Sequence, residues 1–378
     1  MERPQMRIET AAVHAGHVID PATGAVAAPI HLSTTFARDA AGDYSRGFSY
    51  ARENNPNRVE VERSLAALEG GACAVAFASG LAAADAVFRS LRPGDHVVAP
   101  REIYHGVRTQ LETLHRSWGL AVSYAPMHEP ARVREACTDH TCLVWVETPA
   151  NPMLQVSDIA ALAAIAHDAG ALLACDNTFA TPILQRPIEH GADLVMHATT
   201  KWIGGHSDLT GGVVVCRSDD ETAERLRRAQ RIGGSAPGPF DCWLAARGAR
   251  SLACRVRAST ASAAQIAAHF DGHEKIERVL YPGLSGSAGH EIARRQMDGF
   301  GGIVSLCVRA ERDAAMAVAR RTKIFTNATS LGGVESLIEH RESIEGSATT
   351  TPANLLRLSI GLEHADDLIA DLEQALEG

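Results

Sequence analysis

No apolar run in this sequence approaches the ~20 residues that cross a bilayer. Its first residues, Met-Glu-Arg-Pro-Gln-Met-Arg-Ile-Glu-Thr, lack the apolar segment of a secretory signal. Both absences point to a cytoplasmic protein away from the membrane. Basic residues are in short supply: 36 Lys and Arg face 45 Asp and Glu, a formal net charge of −9. A nucleic-acid binder would carry a basic stripe, so that class is set aside. None of the eight cysteines (Cys73, Cys137, Cys142, Cys175, Cys216, Cys242, Cys254, Cys307) falls in a C-x-x-C pair, and no ligands have finger-like spacing. That excludes a zinc cluster and leaves buried, reduced thiols as the expectation. His290-Glu291 begins like a metalloprotease helix, but Arg294 stands where the second histidine belongs, so no metal site is expected. Internal repeats and low-complexity tracts are missing too.

What is present suits a globular chain. Its 378 residues, 46% hydrophobic and 21% charged, can bury a large core and are expected to divide into two domains. Residues 1–56 are punctuated by Pro21, Gly24, Pro29, Gly42, Gly47 and Pro56 and have little periodicity. So long an irregular arm is usually functional or wraps a neighbouring subunit. From 57 onward, helices alternate with short runs of Val, Leu and Ala: strands at 73–78, 96–99, 120–124, 142–146, 171–175 and 194–197. This is the pattern of an α/β domain with a mostly parallel sheet. Beyond about 240, longer helices with fewer strands predict a smaller α+β unit. The expected division is 1–56, 57–240 and 241–378.

Polar groups collect just past the strand ends, the edge where open α/β sheets bind ligands. Ser79-Gly80 precedes a helix, as a phosphate site or as a simple cap. Glu147-Thr-Pro-Ala-Asn-Pro152 and Asp176-Asn-Thr178 follow the next strand ends, and Ser157 is read as a helix cap. Lys201 lies between the apolar strand 194–197 and Gly204-Gly205. It is either a loop lysine at the surface or a partly desolvated amine able to form Schiff bases. Arg357, in Leu355-Leu-Arg-Leu-Ser-Ile-Gly361, needs an anion: an internal carboxylate or a substrate.

Taken in order, these stretches resemble the Cys/Met-metabolism family of pyridoxal-phosphate enzymes, which includes the cystathionine synthases and lyases and methionine γ-lyase. The matching segments are Ala51-Arg-Glu-Asn-Asn-Pro56, Leu65-Ala-Ala-Leu-Glu-Gly-Gly71, Ala78-Ser-Gly-Leu-Ala-Ala83, Glu147-Thr-Pro-Ala-Asn-Pro152, Asp176-Asn-Thr-Phe179, Thr200-Lys-Trp-Ile-Gly-Gly-His-Ser-Asp208, Ser330-Leu-Gly-Gly-Val-Glu-Ser-Leu337 and Arg357-Leu-Ser-Ile-Gly361. The resemblance runs from about His14 to Leu376. It implies an aspartate-aminotransferase-like fold (fold type I) and pyridoxal 5′-phosphate as cofactor. By the same resemblance Lys201 would hold the cofactor and shuttle protons, Asp176 would pair with the pyridine nitrogen, and Tyr104 would stack on the ring. Gly80, Leu81 and Thr199 or Thr200 would hold the phosphate, with Tyr50 and Arg52 reaching a neighbouring subunit's phosphate. Asn151 and Thr178 would sit by the ring hydroxyl, and Arg357 with Ser330 would take the substrate carboxylate. A homotetramer built as a dimer of dimers follows.

Departures from the family pattern bear on the substrate. Ala198 replaces a phosphate-binding serine, leaving Thr199 and Thr200 to supply hydroxyls. His105-Gly-Val107 replaces Gly-Gly-Thr or Gly-Cys-Thr. Ser49 and Thr329 stand where cystathionine enzymes often place acids, and the segment from His340 to Gly346 departs from a Pro-x-x-Met-Thr-His form. A buried ammonium without those acids is expensive, which favours methionine- or homocysteine-like substrates and γ-elimination to a thiol, 2-oxobutanoate and ammonia. γ-Replacement, by a cystathionine γ-synthase or O-acylhomoserine sulfhydrylase, shares the early steps and stays open. A non-catalytic α/β small-molecule-binding protein is the reading from another class; it leaves Lys201 with Asp176 unexplained.

Overall fold

Short runs of valine, alanine and leucine, apolar on both faces, form the strands of a buried sheet in the computed structural model, which describes residues 6–345 and 351–378. Its strands are Cys73–Phe77 (β1), His96–Pro100 (β2), Ala121–Ala125 (β3), Thr141–Glu147 (β4), Leu172–Asp176 (β5), Leu194–His197 (β6) and Gly212–Cys216 (β7). They lie in the order β1-β7-β6-β5-β4-β2-β3. Neighbours from β3 through β6 pair in parallel, while β7 runs antiparallel to both β1 and β6. Six strands therefore point one way, and their C-terminal ends share one edge.

Helices cover both faces. On one, Val61, Leu65 and Leu68 of helix Pro56–Glu69 join Val144, Val146, Leu173, Cys175 and Val195 in a continuous core. On the other, Val87 and Phe88 of helix Gly80–Arg89 meet Phe77, Trp145 and Met196. A second sheet holds Ile276–Leu280 (β8), Ile303–Val308 (β9), Thr326–Asn327 (β10), Leu337–His340 (β11) and Leu355–Ser359 (β12), in the order β10-β11-β12-β9-β8. Helices Leu252–Phe270, Arg312–Arg321 and Ala365–Glu377 pack on it through Ile266, Phe270, Val318, Leu368 and Leu372.

Several elements differ from the sequence reading. The strands β7, β8 and β11 and the helices Ile8–His14 and Glu221–Ile232 were not among the expected elements. The expected cap Ser157 is displaced by Asp158, whose carboxylate accepts the Ala161 N–H at 3.0 Å. The helix after Tyr104 holds a π segment at Gln110–His115. Of the cysteines, Cys175, Cys216, Cys242 and Cys307 are buried, but Cys254 is exposed.

Candidate active site

The strand ends β1, β4, β5 and β6 open onto a cavity of about 260 Å³, closed from the other side by residues 329–331 and by Arg341 and Arg357. Ser79 follows β1 and caps helix Gly80–Arg89 by accepting the Ala82 N–H at 3.0 Å. Ser79, Gly80 and Leu81 line the cavity, and the first N–H groups of this helix have no acceptor within it. The cap and the N–H groups facing the cavity are thus parts of the same turn. Strand β7 begins against it: a Cβ at Gly212 would lie 2.4 Å from the Ser79 carbonyl oxygen.

Lys201 leaves β6 through a tight turn, its N–H donating to the Ala198 carbonyl at 3.1 Å. Its Nζ donates to Ser330 Oγ at 2.7 Å. Burial, with the Arg357 charge adding to it and Glu339 opposing, brings the amine down to about 8. The surface-loop alternative is therefore corrected: the amine faces the cavity. Ser330 adopts φ +98°, a left-handed conformation that costs a serine energy and is typical of functional turns.

Asp176 ends β5 directly beside Glu147, which ends β4; the two are register partners. Asp176 Oδ1 accepts the Thr178 N–H at 2.9 Å, and Thr178 Oγ1 accepts the Ala198 N–H at 2.9 Å. Burial raises the Asp176 carboxyl above its ordinary range, with the Thr178 hydrogen bonds pulling it back. Glu147 is pushed further, to about 8, by burial and by the Asp176 charge. Both Glu147 oxygens face the Tyr104 N–H, at 2.9 and 3.1 Å. Tyr104 lines the cavity and stays 44% exposed.

Arg357 meets the internal carboxylate that its sequence context allowed, Glu339. Its Nη2 pairs with Glu339 Oε2 at 2.7 Å and donates to the Ser330 carbonyl at 2.7 Å, while Nη1 donates to Asn151 Oδ1 at 2.9 Å. It nevertheless lines the cavity, as does Arg341, whose Nη1 shares the same Glu339 oxygen at 2.8 Å.

Not every expected residue arrives. Thr200 lines the cavity, its hydroxyl accepting the Gly211 N–H at 3.0 Å, but Thr199 does not. Its side chain turns to the far side of the loop, among Phe77, Gly211 and Cys242. Beyond β6, which ends at His197, the turn brings Ala198 to the cavity and leaves Thr199 buried behind it. Ser49, Tyr50 and Arg52 are also away from this subunit's cavity. Arg52 donates to the Arg231 carbonyl at 2.9 Å and, with Tyr50, borders a separate surface hollow beside Pro237. Among residues without an assigned role, Glu147, Phe179, Met196 and Arg341 line the cavity. Glu147 and Phe179 carried a signal, their places in the Glu-Thr-Pro-Ala-Asn-Pro and Asp-Asn-Thr-Phe stretches, and Arg341 lies in the divergent segment from His340.

A family model described as Cys/Met metabolism PLP-dependent enzyme matches residues 9–377. The chain belongs to that family. The cystathionine gamma-synthase of Mycobacterium tuberculosis is 48% identical over 373 residues, 97% of this chain and 96% of that protein. The crystal structure of metB from Corynebacterium glutamicum superposes with a TM-score of 0.95 at 42% identity, covering 98% of each chain. Apo CalE6, a methionine gamma lyase from Micromonospora echinospora, superposes at 0.93 with 37% identity and full coverage of both chains. The family is PLP-dependent, and its members here have the same fold with a mostly parallel central sheet. The donor set fits that cofactor: a depressed lysine amine, a buried carboxylate, an exposed aromatic ring and free N–H groups at a helix start meet in one cavity. Among the described residues no helix is long and apolar enough to cross a membrane.

Proposed function

We propose that this family member acts at the γ-carbon of an amino acid whose distal end carries no charge. One observation supports this most. Among the described residues, the carboxylates lining the cavity are Glu147 and Asp176, both at strand ends of the first sheet. Glu147 takes the Tyr104 amide and Asp176 is assigned to the pyridine nitrogen, so within one subunit none remains for the ammonium of cystathionine. Thr329, at the cavity wall, supplies a neutral hydroxyl there.

Pyridoxal phosphate, when bound, supplies the electron sink for carbanion chemistry at Cα. The chain's residues do the rest. Lys201 holds the cofactor and, once released, its Nζ takes the Cα proton and returns it further along the substrate. The depressed affinity of this amine for protons suits it to accept one near neutrality. Asp176 would hold a proton on the ring nitrogen, Tyr104 would stack on the ring, and Asn151 with Thr178 would border the ring hydroxyl. The Gly80 and Leu81 amides and the Thr200 hydroxyl would hold the phosphate. Arg357, fixed by Glu339 and Asn151, turns its guanidinium to the substrate carboxylate, with Ser330 beside it. Tyr50 and Arg52 complete the phosphate site of a neighbouring subunit, in a homotetramer of paired dimers. The reading puts the enzyme in the cytoplasm, where its free thiols stay reduced.

γ-Elimination from methionine or homocysteine is the first reading, giving a thiol, 2-oxobutanoate and ammonia. γ-Replacement on an O-acylhomoserine is the second, favoured by the resemblance to the Mycobacterium tuberculosis synthase; of its substrates, O-acetylhomoserine is neutral at the distal end and O-succinylhomoserine ends in a carboxylate. A panel of methionine, homocysteine, cystathionine and O-acetyl- and O-succinylhomoserine, with and without added thiol, separates them by released thiol, 2-oxo acid and ammonia. Comparable turnover of cystathionine and methionine would overturn the uncharged-end reading.

A further inference from the structure

Two carboxylates side by side in a buried site are costly, because each raises the energy of charging the other. Asp176 has an assigned partner in the cofactor. Glu147, its register neighbour at 6% exposure, has none in the chemistry. What it touches is the peptide of Tyr104. Both oxygens lie at hydrogen-bond distance from that N–H, 2.9 and 3.1 Å, and the Trp145 indole N–H approaches Oε1 at 3.5 Å.

The Tyr104 carbonyl accepts the Arg108 N–H at 3.0 Å, a helical bond, while the Tyr104 N–H is held by Glu147. Tyr104 caps helix His105–Thr109 with an extended backbone, φ −48° and ψ 129°, and with no side-chain cap bond. Its ring rests over Gly106, where an added Cβ would lie 2.8 Å from Cε1 and 2.9 Å from Leu81 Cδ2. The ring's place above the cavity is therefore set by its own backbone, and the backbone is anchored at the amide.

We propose that Glu147 is the positioning residue of Tyr104, fixing the aromatic ring across the cavity from Asp176 by clamping its N–H. The proposal rests on the reading of Tyr104 as the ring that stacks on pyridoxal phosphate. It explains why the sheet keeps a carboxyl where repulsion from Asp176 disfavours one: the clamp needs an acceptor that reaches from β4 to the start of the next helix. Among the described residues, Glu147 is the side chain that this amide meets.

The test is a double-mutant cycle read by cofactor affinity and by the circular dichroism of the bound cofactor's visible band, which reports its orientation. Holoenzyme is resolved to apoprotein and titrated with pyridoxal phosphate. Glu147→Ala is expected to weaken binding about tenfold and to diminish the visible band; losing a buried acceptor typically has an effect of that order. Glu147→Gln, which keeps one acceptor oxygen, is expected to restore both to within about threefold. In a Tyr104→Ala background, Glu147→Ala should add nothing further. A folded Glu147→Ala protein with unchanged affinity and band overturns the proposal. So does a loss that persists undiminished in the Tyr104→Ala background, which would assign Glu147 to Asp176 instead. Tyr104→Ala that leaves affinity unchanged, while Lys201→Ala abolishes the chromophore, overturns the stacking role alone and leaves the cofactor assignment standing.

Discussion

At the scale of single residues, two titrating groups make the site's electrostatics testable. The Lys201 amine is lowered to about 8, chiefly by burial. Only its neutral form attacks an aldehyde, so cofactor capture by apoprotein should accelerate as pH rises through about 8 and then level off. Stopped-flow absorbance from pH 6.5 to 9.5 checks this; a rate still climbing about tenfold per pH unit at pH 9.5, with no plateau, would place the amine in solvent. Glu147 moves the other way, raised from 4.5 to about 8. Between those values the folded protein keeps a proton that the unfolded chain has released, so this group's contribution to stability falls as pH rises through the window. Apoprotein carrying Glu147→Gln escapes that loss. Its urea midpoint should gain on the wild-type value between pH 5 and pH 8, and a constant difference would remove the assigned shift. Lys201, Asp176 and Arg357 were legible before any coordinates because each is an ionisable group placed against an apolar run. Glu147's role was not, since a glutamate ending a strand looks the same whether it meets water or a tyrosine amide.

Elements carry the next level. Parallel strands buried on both faces write themselves as continuous apolar runs, and β1 to β6 could be read that way. The strand β7, Gly212–Cys216, has the same composition, yet its antiparallel place between β1 and β6 is set by the turn after Lys201 and not by its own residues. That insertion presses Gly212 on the Ser79-Gly80 turn. Gly212→Ala puts a Cβ 2.4 Å from the Ser79 carbonyl oxygen. Overpacking of this kind costs about 1–3 kcal/mol, and here the strain falls on the turn proposed to hold the phosphate. The variant should bind pyridoxal phosphate more than tenfold more weakly while keeping its far-ultraviolet circular dichroism. Unchanged affinity would separate β7 from that turn. The same logic explains Thr199. Its hydroxyl is as available in sequence as that of Thr200, but the turn that follows β6 leaves it buried behind the cavity.

For the whole molecule, the question is whether subunits share the site. Tyr50 and Arg52 lie away from their own cavity, and the arm around them exposes Val26, Ile30 and Leu32, with Ile232 and Phe240 exposed nearby in the chain's later helices. Apolar residues in such number on one chain suit a covered surface. If Arg52 serves a neighbour's phosphate, Arg52→Ala and Lys201→Ala subunits are each inactive alone and complementary when mixed. After denaturation and joint refolding, the mixture should recover up to about a quarter of wild-type activity, since half the sites in half the dimers are intact. No recovery would confine every functional group to one subunit.

The sequence by itself determined the chemistry: a lysine, an aspartate, an arginine and a glycine-serine turn, each beside an apolar run, in an order that resembles one enzyme family. It also determined the α/β alternation, because period and burial are local properties. Tertiary structure alone decided which hydroxyl faces the cavity, which carboxylate holds Tyr104, and that Arg357 is held by Asn151 from 206 positions away. Those outcomes depend on where a side chain points after a turn and on what another strand brings opposite it. Neither is encoded within the few residues around it.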